Sequence, residues 1–153
     1  MLFTALKSVN AVVFTILSGL HFYWAFAGLF GAKARLMAAT VPQINGKPLF
    51  RPSFWATVMI AVALLVCAFL SVWAMRPIYE GASPGFVSDR WCVCGNLSIG
   101  IVFLLRAVGD FRYVGFFKKV TGTAFARNDT FLYSPLCLLV SMVAFCIYFY
   151  IRY

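Results

Sequence analysis

The sequence predicts an all-α polytopic integral membrane protein, a bundle of four transmembrane helices that forms one membrane domain over residues 1–153. Three observations carry this expectation. Hydrophobic residues make up 63% of the chain and charged residues 11%, where soluble domains have about 45–50% and about 25%. Mean hydropathy is +0.92. The runs 8–32, 52–75 and 130–151 contain no Asp, Glu, Lys or Arg, and about 20 such residues suffice to cross roughly 30 Å of hydrocarbon. Soluble, disordered and collagen-like classes are excluded, because no fold of this size hides so much apolar surface in water.

The first helix is expected over residues 9–31. Its apolar run is longer than a signal-peptide core and holds His21, so it reads as a retained span. The second is expected over 54–75, with Ser53 as its N-cap just after Pro52. The third, 91–110, is shorter: fifteen uncharged residues from Trp91 to Leu105 precede Arg106 and then Asp110. The spacing predicts an Arg106–Asp110 ion pair at its inner end, with Arg106 snorkelling toward the headgroups. Asp110 sits where a helix C-terminus disfavours an acid, so it needs a partner: Arg106, Arg112 or a loop amide. Residues 111–127 form an interfacial loop. The fourth helix is expected over 131–151. Its start is marked by Ser134-Pro135, after a capped turn at Asn128-Asp129-Thr130. Trp55, Trp73, Trp91, Tyr148, Tyr150 and Tyr153 fall near span ends, as interfacial aromatics do.

The net charge of +9 comes from thirteen Lys and Arg against four Asp and Glu. These bases lie between the apolar runs rather than in a stripe that could meet a duplex, so no nucleic-acid partner is expected. Loops one and three together hold nine of them, and the opposite side holds four: Lys7, Arg76, Arg90 and Arg152. The positive-inside rule then puts loops one and three in the cytoplasm and both termini outside.

Several residues invite chemistry. His21 is the only histidine and lies within the first span, where an ionisable group is costly and marks a candidate site. Ser18, Ala25, Gly28 and Ala32 form a small-residue stripe on its face, which predicts that His21 points into the bundle. With no carboxylate near His21, no metal site is expected. In loop three, aromatics alternate with Arg112, Lys118 and Lys119, which predicts rings at the acyl boundary and cations on anionic lipid headgroups. Cys67, Cys137 and Cys146 read as small apolar residues within spans. Cys92 and Cys94 could form a redox pair, but their spacing is C-x-C and not the C-x-x-C of thioredoxin-like sites. No phosphate-binding glycine loop, nucleophile triad or paired carboxylates appear, so no cofactor is expected and the residues lean away from an enzyme.

Three runs resemble one family. They are Leu20-His21-Phe22-Tyr23-Trp24-Ala25-Phe26-Ala27-Gly28, the stretch from Arg106 to Lys118, and the stretch from Thr123 to Cys137. Together they are similar to the family catalogued as domain of unknown function 3995. That resemblance covers nearly the whole chain. It implies a small four-helix membrane protein of mostly bacterial type, hence a location in the inner (plasma) membrane, and it transfers no activity. The chain departs from it at Phe26-Ala27-Gly28, where a Gly-Gly pair is expected. The residues that carry it suggest one connected polar region made of His21, Tyr23, Arg106, Asp110, Asp129 and Tyr133.

The function expected on these grounds is binding or transport of a small or lipid-like molecule, with Arg106 facing an anionic group and His21 deeper. One alternative is an accessory subunit whose small-residue faces pack a membrane-protein partner or a second copy. Another is a small membrane enzyme, redox-active through Cys92 and Cys94 or lipid-modifying.

Overall fold

The computed structural model describes residues 2–29, 38–73 and 89–152. Helix α1 spans Leu2–Leu29. A minimal hairpin follows, β1 (Gln43–Ile44) and β2 (Lys47–Pro48), paired antiparallel with Ile44 opposite Lys47. Its two-residue turn, Asn45-Gly46, has φ of 50° and 75°, the doubly left-handed conformation that Asn-Gly adopts readily and that matches strand twist. Helix α2 spans Phe54–Trp73 and α3 spans Asp89–Val108. A short α4, Ala124–Asn128, runs through one π-helical turn, Asp129–Tyr133, into α5, Ser134–Arg152.

Among the described residues, three helical stretches are long and apolar enough to cross a membrane, Ser8–Gly28, Phe54–Val72 and Ala124–Tyr150. The third sequence-predicted span is the shorter apolar stretch Val93–Val108, about 24 Å at 1.5 Å per residue against about 30 Å of hydrocarbon.

Ser53 caps α2 as expected, its Oγ accepting from the Ala56 N–H at 3.1 Å. Other ends differ from expectation for local reasons. Helix α1 begins at Leu2, not near residue 9. Helix α3 stops at Val108, because Gly109 turns to φ 87° and donates its N–H to Leu105 O at 2.8 Å, an αL C-cap. The expected loop 111–127 ends early, because Thr123 N-caps α4 by accepting from the Ala126 N–H. Asn128-Asp129-Thr130 is therefore helix and not a capped turn. Ser134 is likewise no N-cap: its backbone is helical, and its N–H reaches back five residues to Asp129 O. The wider turn makes room at Pro135, whose ring lacks an N–H and would crowd the carbonyl four residues earlier in an α-helix.

The main packed pairs are α1 with α2 and α3 with α5. They share a core of Phe14, Leu64, Ala68, Ile99, Val140 and Ala144. Small residues let the backbones approach closely. Ser18 Oγ donates to Ala61 O and Ser141 Oγ to Gly100 O, each at 2.8 Å. A Cβ on Gly100 would meet the Phe145 ring at 2.8 Å. The predicted small-residue face of α1 is thus its α2-facing side, with Ser18 and Ala25 buried; Ala32 lies outside the described residues.

Candidate functional site

Two polar constructions sit at one end of the bundle. The first is built on Asp129, which is fully buried. Its Oδ1 accepts from Arg106 Nη2 at 2.7 Å, and its Oδ2 accepts from the Gly115 N–H at 2.8 Å and from Lys118 Nζ at 3.0 Å. The Lys118 ammonium also donates to Gly115 O at 3.0 Å and to Thr130 Oγ1 at 2.6 Å, so its three hydrogens have three acceptors. Thr130 passes its own hydrogen to Ala126 O. Two cations thus share one buried carboxylate.

The ion pair expected between Arg106 and Asp110 does not form. Gly109 ends the helix before Asp110, so the four-residue helical spacing never applies, and Arg106 turns to Asp129. Asp110 takes the third option available to it, the loop amides. Its Oδ1 accepts from the N–H groups of Arg112, Tyr113 and Val114 at 2.9, 2.7 and 2.9 Å. Partial burial pushes this carboxyl up, but the amides of Tyr113, Arg112 and Val114 outweigh it and hold Asp110 below the ordinary carboxylate value.

Lys118 is not available to lipid headgroups, because its side chain is only 3% exposed against Asp129. Arg112 and Lys119 are exposed, and Arg112 lies 5.2 Å from the Tyr113 ring centroid. Phe111 and Phe117, 57% and 63% exposed, pair on the same loop.

The second construction is a cleft of about 550 Å³ between α1, α2 and the chain joining them. Helix α1 contributes His21, Trp24, Ala25 and Gly28, one face at spacings of three and four. Helix α2 contributes Thr57 and Ile60 from its facing side, and the connection contributes Thr40, Val41, Phe50 and Arg51. About one turn before His21, the Ser18–Ala61 hydrogen bond draws the two helices together. His21 Nδ1 lies 2.8 Å from Leu17 O. A carbonyl only accepts, so Nδ1 carries the hydrogen. His21 thus bonds within its own helix. Its ring packs 4.9 Å from Trp24, another cleft residue.

The six residues expected to form one polar region therefore divide. Arg106 and Asp129 bond directly. Asp110 organises the loop that delivers Gly115 to Asp129. Tyr133 donates its hydroxyl to Ala39 O at 3.2 Å, and Asn128 Nδ2 reaches the same oxygen at 3.5 Å. His21 lines the cleft instead, and Tyr23 is 59% exposed. The two constructions meet at residues 39–41, since Ala39 accepts from Tyr133 while Thr40 and Val41 form the cleft wall. Cys94 is exposed, and the Cys92 side chain lies outside the described residues.

Arg51, Asn128 and the hairpin went unrecognised as site elements in the sequence. The Asn45-Gly46 dipeptide was the available signal for the hairpin. Nothing local signals that Arg51 reaches the α1 face, because that depends on how residues 38–52 fold back.

A family model described as protein of unknown function (DUF3995) matches residues 14–144. No curated protein and no solved structure matches the chain.

Proposed function

The chain belongs to that DUF3995 family, and from its interhelical cleft we propose that it is a membrane-embedded binding module for a small amphiphile with an anionic head. The carrying observation is the composition of the cleft. Arg51 is exposed and lines it beside Phe50, while Trp24, Ala25 and Ile60 supply apolar wall. A concave site of a few hundred Å³ with apolar walls and few polar groups is the usual form of a small-molecule site. The span Ser53 to Ala61 covers eight residues of α2, about 12 Å of depth, which suits an acyl chain below a headgroup-level cation.

The anion-facing role expected of Arg106 passes to Arg51 in this reading, because Asp129 engages Arg106. The cleft mouth lies at the end that carries loops one and three. The excess of Lys and Arg in those loops supports a cytoplasmic side for it and, with the family resemblance, a bacterial inner membrane. Exposed Arg112 and Lys119 suit anionic headgroups at the same level.

Native mass spectrometry of protein released from its own membrane in mild detergent tests this reading. The expected result is a reproducible small-mass adduct that Arg51→Leu removes and Arg106→Leu, in molecules that remain folded, does not. An adduct indifferent to Arg51 would overturn it. A co-released protein in fixed ratio, with no adduct, would instead favour an accessory subunit.

A further inference from the structure

Resting on that reading, we propose that the ligand is a single-chain anionic amphiphile that also carries a hydrogen-bond donor, a hydroxyl or amide N–H, about 10 Å along the chain from its charge, and that His21 Nε2 receives it. The polar groups of the cleft carry this assignment. Ser53 Oγ accepts from the Ala56 N–H, and Thr57 Oγ1 donates to Ser53 O, so both hydroxyls are engaged by the first turn of α2. His21 Nδ1 donates to Leu17 O at 2.8 Å. Besides the Trp24 indole N–H, two groups of the cleft remain without a hydrogen-bond partner among the described residues, the Arg51 guanidinium and the far nitrogen of His21.

These two differ in both chemistry and depth. Arg51 has donors and a full charge, so it selects an anion. In a neutral imidazole whose Nδ1 bears the hydrogen, Nε2 is a bare acceptor, so it selects a donor. His21 lies seven residues before Gly28 on the cleft face of α1, about 10 Å below the open end at 1.5 Å per residue. The walls at its level are Trp24, Ala25 and Ile60. The one side-chain donor among them is the Trp24 indole N–H, which packs against the His21 ring without a hydrogen bond to it among the described residues, and a plain acyl chain there would leave Nε2 unsatisfied. A site built to hydrogen-bond a substrate group rejects the analogue that lacks it.

The test is titration calorimetry of the full chain in phosphatidylcholine nanodiscs, with empty discs subtracted, using ω-hydroxyoctanoate and octanoate. The hydroxy acid is expected to bind about fivefold more tightly, the worth of one net hydrogen bond. His21→Phe should erase the preference, His21→Gln should keep part of it through its amide oxygen, and Arg51→Leu should weaken both acids alike. Equal binding of the two acids, with Arg51→Leu still weakening both, overturns the donor assignment and leaves the binding reading standing. Binding of neither acid above empty discs overturns both. Tighter binding of dihexanoyl phosphatidate than of either acid overturns the single-chain assignment in favour of a membrane lipid.

Discussion

Gly109 and Gly115 meet back to back where the third connection leaves α3. A Cβ on Gly115 would lie 2.5 Å from the Gly109 Cα and 2.3 Å from Val108 O, and one on Gly109 would lie 1.8 Å from Val114 O. Both have positive φ, 87° and 89°. The chain closes tightly enough for the Phe116 N–H to reach Ala107 O at 2.9 Å, and this presents the Gly115 N–H to Asp129.

Gly115→Ala should therefore be among the most damaging single changes in this protein. The left-handed conformation alone costs an L-residue about 1–2 kcal/mol, and overlap with backbone that cannot yield adds to it, for about 3 kcal/mol or more. Gly46→Ala is the control, since Gly46 has φ 75° but no atom within 4 Å of the added Cβ. It should cost only about 1–2 kcal/mol. Equilibrium unfolding of both variants in one mixed micelle decides this, and equal losses would refute the close-approach account.

Asp129→Asn should destabilise more than removal of either of its cations. It leaves Arg106 and Lys118 facing each other without a counter-charge, and stripping one partner from a buried ion pair costs about 3–5 kcal/mol. Arg106 is 33% exposed and can still meet water, which places the loss toward the lower end. Lys118→Met leaves a balanced Arg106–Asp129 pair and should cost less. Added to Asp129→Asn, it should recover part of the loss. A double variant no more stable than Asp129→Asn alone would show that charge balance is not what Asp129 supplies.

Asp110 gives the third connection a pH dependence. Its carboxyl is held low in the folded chain, so its contribution is complete above the unfolded value, about 3.9, and is lost as pH falls through the lower folded value. Hydrogen exchange at the amides of Arg112, Tyr113 and Val114 should accelerate in that acidic window, beyond the intrinsic pH effect. Asp110→Ala should remove their protection at every pH. Amides in Asp110→Ala as slow as in the parent at neutral pH would mean that the carboxylate does not hold this loop.

What could be read from the chain, and what could not, follows from the range of each interaction. Long charge-free runs predicted the helices, because span length is a local property. The Ser53 cap was legible for the same reason, since donor and acceptor lie three residues apart. The partner of Arg106 was not. Asp110 is four residues away and Asp129 is 23, and the nearer acid wins only if the helix continues through Gly109. Gly109, read as a helix C-cap, takes Asp110 off the helix and leaves Asp129 as the acid for Arg106. Ser134-Pro135 misled in the opposite sense, because the same dipeptide that starts an isolated helix is tolerated within a continuous one when a π turn precedes it. The cleft was out of reach, since its wall at residues 39–41 is fixed by side chains about ninety positions away.

That wall suggests a last experiment, on Tyr133. Its hydroxyl and Asn128 Nδ2 converge on Ala39 O, one residue before the cleft-lining Thr40 and Val41, and Val41 is only 3% exposed. Tyr133→Phe keeps the ring against Phe125 and removes only the donor. The stability loss should be about 1 kcal/mol, one net hydrogen bond. The larger effect should be local. The Asn128 contact that remains is long at 3.5 Å, so exchange at the Thr40 and Val41 amides should rise severalfold, while amides in the core around Leu64 and Ala144 stay unchanged. If the cleft wall depends on this bond, Tyr133→Phe and Asn128→Ala together should also release the adduct proposed to sit at Arg51, although neither residue lines the cleft. An adduct held as firmly in the double variant as in the parent would mean that the α5 end of the bundle and the cleft act independently.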